Sequence, residues 1–254
     1  LFHTLILSEA PLKVLGEVDK MTREKMRKWL KLPHDTSNAQ IHAPVRLGGL
    51  GIPELRVRIP CLRLKRLEKM AGSDDPVVVE LARSEWFAKA TTKLGSQLWF
   101  RGQKISNNAD INSYYIRSLK EVRDGEGLDE SGDCSRALQW ITARDPRMSG
   151  GDYVKALQVR LNVLPTKVRG SRGNRPKEDI LCRFGCGRPE SLPHILQGCH
   201  KTHDHRIRRH NLICKRISEA CQKANRKVVE EPIIPTSRGI RKPDLIIYDK
   251  NEAV

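Results

Sequence analysis

"CRFGCGRPESLPHILQGCH", residues 182–200, sets three cysteines, two histidines and three glycines within nineteen positions. The spacing Cys182-x3-Cys186-x7-His194-x4-Cys199 offers three thiolates and one imidazole. That donor set suits tetrahedral zinc. Gly185 and Gly187 free the backbone for the tight turn that lets two cysteines share one ion. The run "PHILQGC" then brings His194 and Cys199 back to the same point. A loop this polar buries too little apolar surface to fold unaided, so a bound ion would supply its folding free energy. Four protein ligands leave no open coordination position, and the sequence holds no HExxH-type arrangement, so the zinc expected here is structural. His200, His203 and His205 lie close enough to compete for the fourth place; they are expected at the surface or facing phosphates.

The rest of the chain sets the context for this loop. Its 254 residues allow one large domain or two to three small ones. Hydrophobic residues make up 38% and aromatics 5%, which implies modest, mostly aliphatic cores. The formal net charge is +17. An excess of that size points to a polyanionic partner, because each phosphate neutralised by Lys or Arg releases a counterion. Charge concentrates between Lys155 and Glu230, where 18 Lys and Arg face six Asp and Glu. The cysteine-rich loop lies in the middle of that segment. Seven cysteines, three of them in one loop, do not make a disulfide framework; a reducing compartment with a metal site fits better. The absence of an eighteen-residue apolar run argues against a membrane span. "LFHTLILSEAPLKVLG" at the start lacks the basic region of a signal peptide, and "YDKNEAV" stops as a strand restarts. Both ends are read as cuts inside a longer protein.

Local patterning places most elements on helices. Residues 17–32 carry a mostly apolar stripe of Val18, Met21, Lys25, Met26, Trp29 and Leu30, with Pro33 as the stop. "HDTSNAQIHAPVRLGGLGIP" reads as a loop in which Gly48, Gly49 and Gly51 permit positive φ or close backbone approach. A basic helical pattern resumes over 54–70, with Pro60 as a kink or boundary. "GSDDP" at 72–76 starts another amphipathic helix. Residues 101–134 are polar and Gly/Asp-rich apart from "SYYIRSLKEV" and read as a linker or domain seam, followed by helices at 135–144 and 152–162. After the metal loop, "RIRRHNLICKRISEACQKA" predicts a helix with Ile207, His210, Ile213, Ile217 and Ala224 on one face and Arg208, Arg209, Lys215 and Arg216 opposite. Cys214 and Cys221 are expected buried on its apolar face. From Arg226 onward, β-branched runs broken by Pro and Gly read as short strands and turns.

"RKPDLIIYD" carries a second chemical pattern. Pro243 opens a strand, Asp244 stands at its foot, and Leu245 to Tyr248 form a buried run. An acid at a strand start, facing a second acid and a Lys on the next strand, is a way of holding a divalent ion against a scissile phosphate. Mg²⁺ takes carboxylates, waters and phosphate oxygens and stabilises in-line displacement. Glu219 and Glu231 are candidate partners; a turn-forming Asp is the plainer meaning of Asp244 taken alone.

Three of these groups, in order along the chain, carry a family resemblance. "RKWLKLPHDTSNAQIHAPVRLGGLGIPELR" resembles the thumb of the reverse transcriptase in site-specific non-LTR retrotransposons. "LRLNVLPTKVRGSRG…CRFGCGRPESLPHILQGC" is similar to the segment entering their CCHC zinc knuckle, and "RKPDLII" to the start of their restriction-like endonuclease. The similarity is closest to elements that insert into the genes for large-subunit ribosomal RNA.

The resemblance implies a mainly α fold: thumb and linker helices, a small CCHC zinc knuckle, and the beginning of an α/β restriction-like PD-(D/E)XK endonuclease. It implies a thumb at 1–72, a helical linker at 73–165, a basic loop and knuckle at 166–205, and a truncated endonuclease start at 206–254. The implied parent protein nicks a ribosomal DNA target and uses the freed 3′ end to prime reverse transcription of its own RNA, in the nucleus. Structural Zn²⁺ would be held by Cys182, Cys186, His194 and Cys199. Mg²⁺ would serve the parent's endonuclease and polymerase, with Asp244 as the first endonuclease acid. Polymerase fingers and palm are absent from this sequence, and the second acid and Lys of the nuclease would follow Val254, so this segment alone is expected to bind rather than catalyse. Its partners would be the target DNA duplex, the element RNA and an RNA–DNA hybrid. Arg23, Lys25, Arg27 and Lys28 would lie along the template–primer duplex. Lys167, Arg169, Arg172 and Arg175 would form a basic loop for phosphates or a narrow groove. Arg206, Arg208, Arg209 and His210 would meet DNA near the cleavage site. The alternative is a non-enzymatic, zinc-dependent nucleic-acid-binding module in which Asp244 is merely structural; a protein–protein scaffold stiffened by zinc is a third.

Overall fold

The computed structural model describes residues 2–8, 10–128, 130, 138–143, 146–172, 180–249, 252 and 253. Cys134 and Arg175 lie outside these residues, as do parts of the helix expected at 135–144. The chain divides into two compact units, Leu1–Pro165 and Thr166–Val254. Helices dominate, and the strands are few and short.

The first unit is helical. It begins with α1 (Phe2–Leu7) and α2 (Leu12–Trp29). The helix α2 ends at Trp29 with Leu30 as its cap, ahead of Pro33, and Lys31 turns the chain away at φ 49°. The expected loop after it is more ordered than its Gly and Pro content suggested. Ser37 and Gln40 form a reciprocal capping box that starts α3 (Asn38–His42). A 3₁₀ turn at Val45–Leu47 follows, and Gly48 closes it at φ 94°. Pro60 does not end the next helix: α4 (Leu55–Ala71) runs through it. Asp75 then caps α5 (Pro76–Arg83), with Pro76 in the first turn where its missing N–H costs nothing. Ser84 caps α6 (Glu85–Gln97).

The reading of residues 101–134 as a linker is corrected for the described part, 101–128. A hairpin of β1 (Trp99–Phe100) and β2 (Gln103–Lys104) leads into α7 (Asn108–Lys120), which Asn107 caps. Ile105, Ile111, Tyr114, Tyr115, Leu119 and Leu128 are buried in one cluster with Ala39, Val57 and Phe100. The buried residues are mostly aliphatic, as composition implied, with Phe100, Tyr114 and Tyr115 packed edge to face among them. A second cluster gathers Leu32, Leu50, Ile141, Leu157, Leu161 and Val163 around α8 (Gln139–Thr142) and α9 (Gly150–Arg160). Side-chain amides stitch it: Gln158 Nε2 donates to the carbonyls of Leu30 and Lys31, and Gln40 Nε2 to that of Leu161.

Several buried polar groups of this unit are paired across elements, although Arg27 Nε and Arg160 Nε are buried without a partner among the described residues. The Asp19 carboxylate, in α2, accepts from the backbone N–H groups of Leu55 and Arg56 at 2.7 and 2.9 Å and so caps α4 from another helix. Tyr115 Oη donates to Glu54 at 2.8 Å, and burial pushes its pKa up. Burial lowers the His42 pKa; Nδ1 faces the Ile52 carbonyl and Nε2 faces the Arg23 guanidinium, so the neutral ring carries its proton on Nδ1.

The second unit starts with the single turn α10 (Lys167–Gly170). The cysteine-rich loop follows, then the long helix α11 (His203–Lys223). Antiparallel strands close the unit: β3 (Lys227–Glu230) pairs with β6 (Leu245–Asp249), which pairs with β7 (Glu252–Ala253). A separate hairpin joins β4 (Ile234–Thr236) to β5 (Gly239–Arg241). Among the described residues no helix is long and apolar enough to cross a membrane.

Candidate metal centre and basic surface

The metal loop is built by two turns of opposite kind. The first is a short hairpin. Leu181 and Pro189 bridge, Cys182 N–H donates to the Arg188 carbonyl at 2.8 Å, and Glu190 N–H donates to that of Ile180 at 2.7 Å. Gly185 and Gly187 take φ of 68° and 74°. A Cβ at either would meet open space, so glycine is needed there for its dihedral angle and not for room. The second turn is a π-helical one over His194–Gly198, closed by Cys199 N–H donating to the His194 carbonyl at 2.7 Å. This five-residue closure puts residues 194 and 199 side by side, which an α-turn would not.

The four expected ligands converge. Cys182, Cys186, His194 and Cys199 place their donor atoms within 4.8 Å of one another, and three of the four are buried. Cys182 Sγ lies 3.9 Å from Cys199 Sγ, and Cys186 Sγ lies 3.2 Å from His194 Nε2. Around a tetrahedral zinc, two thiolates sit about 3.8 Å apart, and a thiolate and an imidazole nitrogen about 3.6 Å. The donor set fits such an ion and the sulfur–sulfur distance matches it, while Cys186 Sγ and His194 Nε2 stand about 0.4 Å closer than a bound ion would hold them. Burial raises the Cys182 thiol; it opposes ionisation of Cys199 too, but the Lys201 N–H and the neighbouring thiols hold Cys199 below its ordinary value. His200, His203 and His205 are exposed and stand outside the cluster.

Glu190 is the residue that sequence reasoning missed. It is fully buried beneath the hairpin, and both its oxygens are occupied. Oε1 accepts from Lys167 N–H and Arg183 Nη2, and Oε2 from Arg183 N–H and Nε. The Arg183 side chain holds its pKa down to about 2. Through Lys167 the carboxylate ties α10 to the loop.

The expected nucleic-acid-facing residues divide into two sorts. Lys25, Lys28, Lys167, Arg172, Arg208 and Arg209 are exposed. Arg23 and Arg27 are turned into the fold: Arg23 lies 3.6 Å from Glu54, and Arg27 Nη2 donates to the Thr36 carbonyl and to Asn38 Oδ1. Arg169 is buried. Arg206 donates to the Cys199 carbonyl and to Thr202 Oγ1, so it braces the exit of the metal loop.

On α11 the expected apolar face is not a buried one. Among its described residues Ser218 is buried, while Ile207, Ile213 and Ile217 are 42–51% exposed. Cys214 and Cys221 are only half-buried, which corrects their reading as core. His210 faces Asp244, its Nε2 3.3 Å from Oδ1. Asp244 immediately precedes β6, and its carbonyl accepts from Glu231 N–H. Asp244, His210, Cys214, Glu219 and Glu231 line one cleft between α11 and the sheet.

No family model matches the chain. Several curated relatives match it almost end to end. The retrovirus-related Pol polyprotein from type-1 retrotransposable element R2 of Nasonia vitripennis is 35% identical over 96% of this chain and 23% of its own length. The corresponding protein from type-2 retrotransposable element R2DM of Drosophila melanogaster is 34% identical over 99% of this chain and 24% of its own. One from a type-1 R2 element of Popillia japonica is 37% identical over 93% of this chain and 48% of its own. The chain thus spans from about a quarter to about a half of the length of these relatives.

Proposed function

Because this chain belongs to the family of Pol polyproteins from R2-type non-LTR retrotransposable elements, we propose that it is the nucleic-acid-binding segment of such a protein, clamped by one structural Zn²⁺. Cys182, Cys186, His194 and Cys199 hold that ion. The convergence of these four side chains within 4.8 Å of one another, directly ahead of the basic helix α11, is the observation that carries the reading. The ion fixes the direction in which α11 leaves the loop. Arg208 and Arg209 then stand on the helix's first turns, exposed to a sugar–phosphate chain.

In this reading residues 1–72 are a reverse transcriptase thumb, 73–165 a helical linker, 166–205 the basic loop and knuckle, and 206–254 the start of a restriction-like endonuclease. The parent protein nicks a ribosomal DNA target and primes reverse transcription from the cut, in the nucleus. Lys25 and Lys28 run along the template–primer duplex. Asp244, at the foot of β6, is the first acid to hold the nuclease's Mg²⁺, an ion that takes carboxylate oxygens and waters. The short antiparallel strands beside α11 and the acid-lined cleft support this assignment.

The test has two parts. Affinity of this chain for duplex DNA is measured against salt, where a steep fall is expected; a flat response rejects nucleic-acid binding. In the parent protein, Asp244→Ala should abolish nicking while leaving DNA affinity intact. Nicking that survives would remove Asp244 from the metal-binding acids and leave this segment as a zinc-dependent binder.

A further inference from the structure

A second group of metal-type donors stands apart from the four-ligand cluster. His210 and Cys214 are one turn apart on α11, so their side chains lie on the same face. Asp244 reaches them from the foot of β6. His210 Nε2 is 3.3 Å from Asp244 Oδ1 and 3.6 Å from Cys214 Sγ, and all three donor atoms lie within 4.8 Å. With zinc–nitrogen and zinc–oxygen bonds near 2.0–2.1 Å and a zinc–sulfur bond near 2.3 Å, tetrahedral geometry puts nitrogen and oxygen about 3.4 Å apart and nitrogen and sulfur about 3.6 Å. The two separations around His210 Nε2 match both values.

We propose that His210, Cys214 and Asp244 form a second, open site for a divalent ion of the zinc class. The chemistry follows from the donors. Mg²⁺ takes hard oxygen ligands and has little use for an imidazole and a thiolate, whereas zinc and cobalt accept all three. One thiolate and one carboxylate balance the charge of a dication, and a neutral imidazole completes the set. Three protein ligands leave a fourth position open. His210, Cys214 and Asp244 line a cleft of about 370 Å³ that opens to solvent, together with Ser218, Glu219 and Glu231. Glu231 is paired with Lys242, and Glu219 lies 4.0 Å from Lys215, so neither carboxylate is needed by the ion. Half-exposed ligands and an open position make this ion exchangeable, unlike the buried one. A zinc-class ion here would also take Asp244 away from Mg²⁺, so the two ions would compete at the foot of β6. The inference stands on the geometry of these three residues and does not require the nuclease reading.

The full chain, stripped of metal, is titrated with Co²⁺ and bound metal is counted by equilibrium dialysis. Two equivalents are expected, the second released at lower chelator concentration than the first. Cys214→Ser and Asp244→Asn should each bind one equivalent with unchanged helicity, and Cys186→Ser should lose the tightly held one and keep the other. Saturation of the native chain at one equivalent overturns the proposal. So does a second equivalent that persists in both Cys214→Ser and Asp244→Asn, or one that Mg²⁺ displaces as readily as Zn²⁺ does. No nucleic acid is present, so failure here leaves the binding and nicking tests untouched.

Discussion

Arg183 and Glu190 lock together across the base of the metal hairpin, Nε 2.7 Å from Oε2 and Nη2 2.6 Å from Oε1. The guanidinium is about half exposed and the carboxylate fully buried. A buried carboxylate is costly unless every lone pair is met. Here two backbone N–H groups complete the set, so the pair fixes both the turn and the approach of α10.

Glu190→Gln should therefore destabilise the second unit by about 2–3 kcal/mol at neutral pH, since it removes a bidentate charged pair from a buried position. The pH dependence has a defined sign. The Glu190 carboxyl titrates at about 2 when folded and near its ordinary 4.5 when unfolded. Its stabilisation is complete above about pH 4.5 and is lost as pH falls through about 2. The stability difference between native chain and variant, followed by urea unfolding, should be constant from pH 8 to 5 and shrink below that. A difference that already fades between pH 7 and 5 would belong to protonation of the metal ligands instead.

Metal removal should act locally. With a strong chelator, or in Cys186→Ser, backbone amides of residues 180–202 should lose protection from hydrogen exchange, because little apolar surface holds that loop. Amides around Ile41, Ile59 and Leu157, fully buried in the first unit, should keep theirs. Unchanged protection in the loop without metal would mean that Arg183, Glu190 and the π-turn suffice by themselves.

The clustering of Cys182, Cys186, His194 and Cys199 is legible in the sequence because the four lie close together along the chain and cysteine is sparse elsewhere. The same holds for Asp244 and its strand, where a Pro and a β-branched run sit together. What sequence alone does not reveal depends on which way side chains point. Arg27 and Lys28 are neighbours of like charge, yet one donates to a carbonyl inside the fold and the other is exposed. Residues 101–128 look polar in bulk, although Ile111, Tyr114, Tyr115 and Leu119 recur at helical spacing and are all buried. The Ser37–Gln40 capping box is also present in the sequence, hidden by the glycines after it. On α11 the helical period is real, but burial does not follow it: Ile213 and Ile217 are exposed among the described residues. Periodicity specifies a face; it does not supply the surface that covers it.

Gly49 gives a sharp test of the first unit. The segment Leu50–Ile52 runs against α3, with Leu50 N–H donating to Gln40, Gly51 N–H to Ala43, and Ile52 N–H to Ile41. A Cβ on Gly49 would lie 2.1 Å from the Ala43 carbonyl oxygen, a backbone atom that cannot swing aside. Gly49→Ala should cost about 3 kcal/mol or more through overpacking. Gly95 offers the control. It sits inside α6 with open space around its Cβ position, so Gly95→Ala should stabilise by about 0.5–1 kcal/mol. Thermal unfolding of the two variants should move in opposite directions; a shared direction would mean that the 40–52 contact is not made as described.

The division of the cations into exposed and inward-turned predicts separable effects on DNA binding. Each phosphate that a variant no longer neutralises lowers the slope of log affinity against log salt by about 0.9. Arg208 and Lys25 are exposed, so Arg208→Ala and Lys25→Ala should each reduce the slope by about that amount if they meet phosphate, with no change in melting temperature. Arg27→Ala should do the reverse. Its Nη2 donates to the Thr36 carbonyl at 2.8 Å and to Asn38 Oδ1 at 2.9 Å, at the start of α3. Removing these bonds should cost about 1–3 kcal/mol of stability in the first unit and leave the salt slope unchanged. Paired measurements of slope and unfolding free energy on the three variants check this. A salt slope that falls in Arg27→Ala at native stability would return that residue to the nucleic-acid surface, and would overturn the assignment of the outer face of α2 to Lys25 and Lys28 alone.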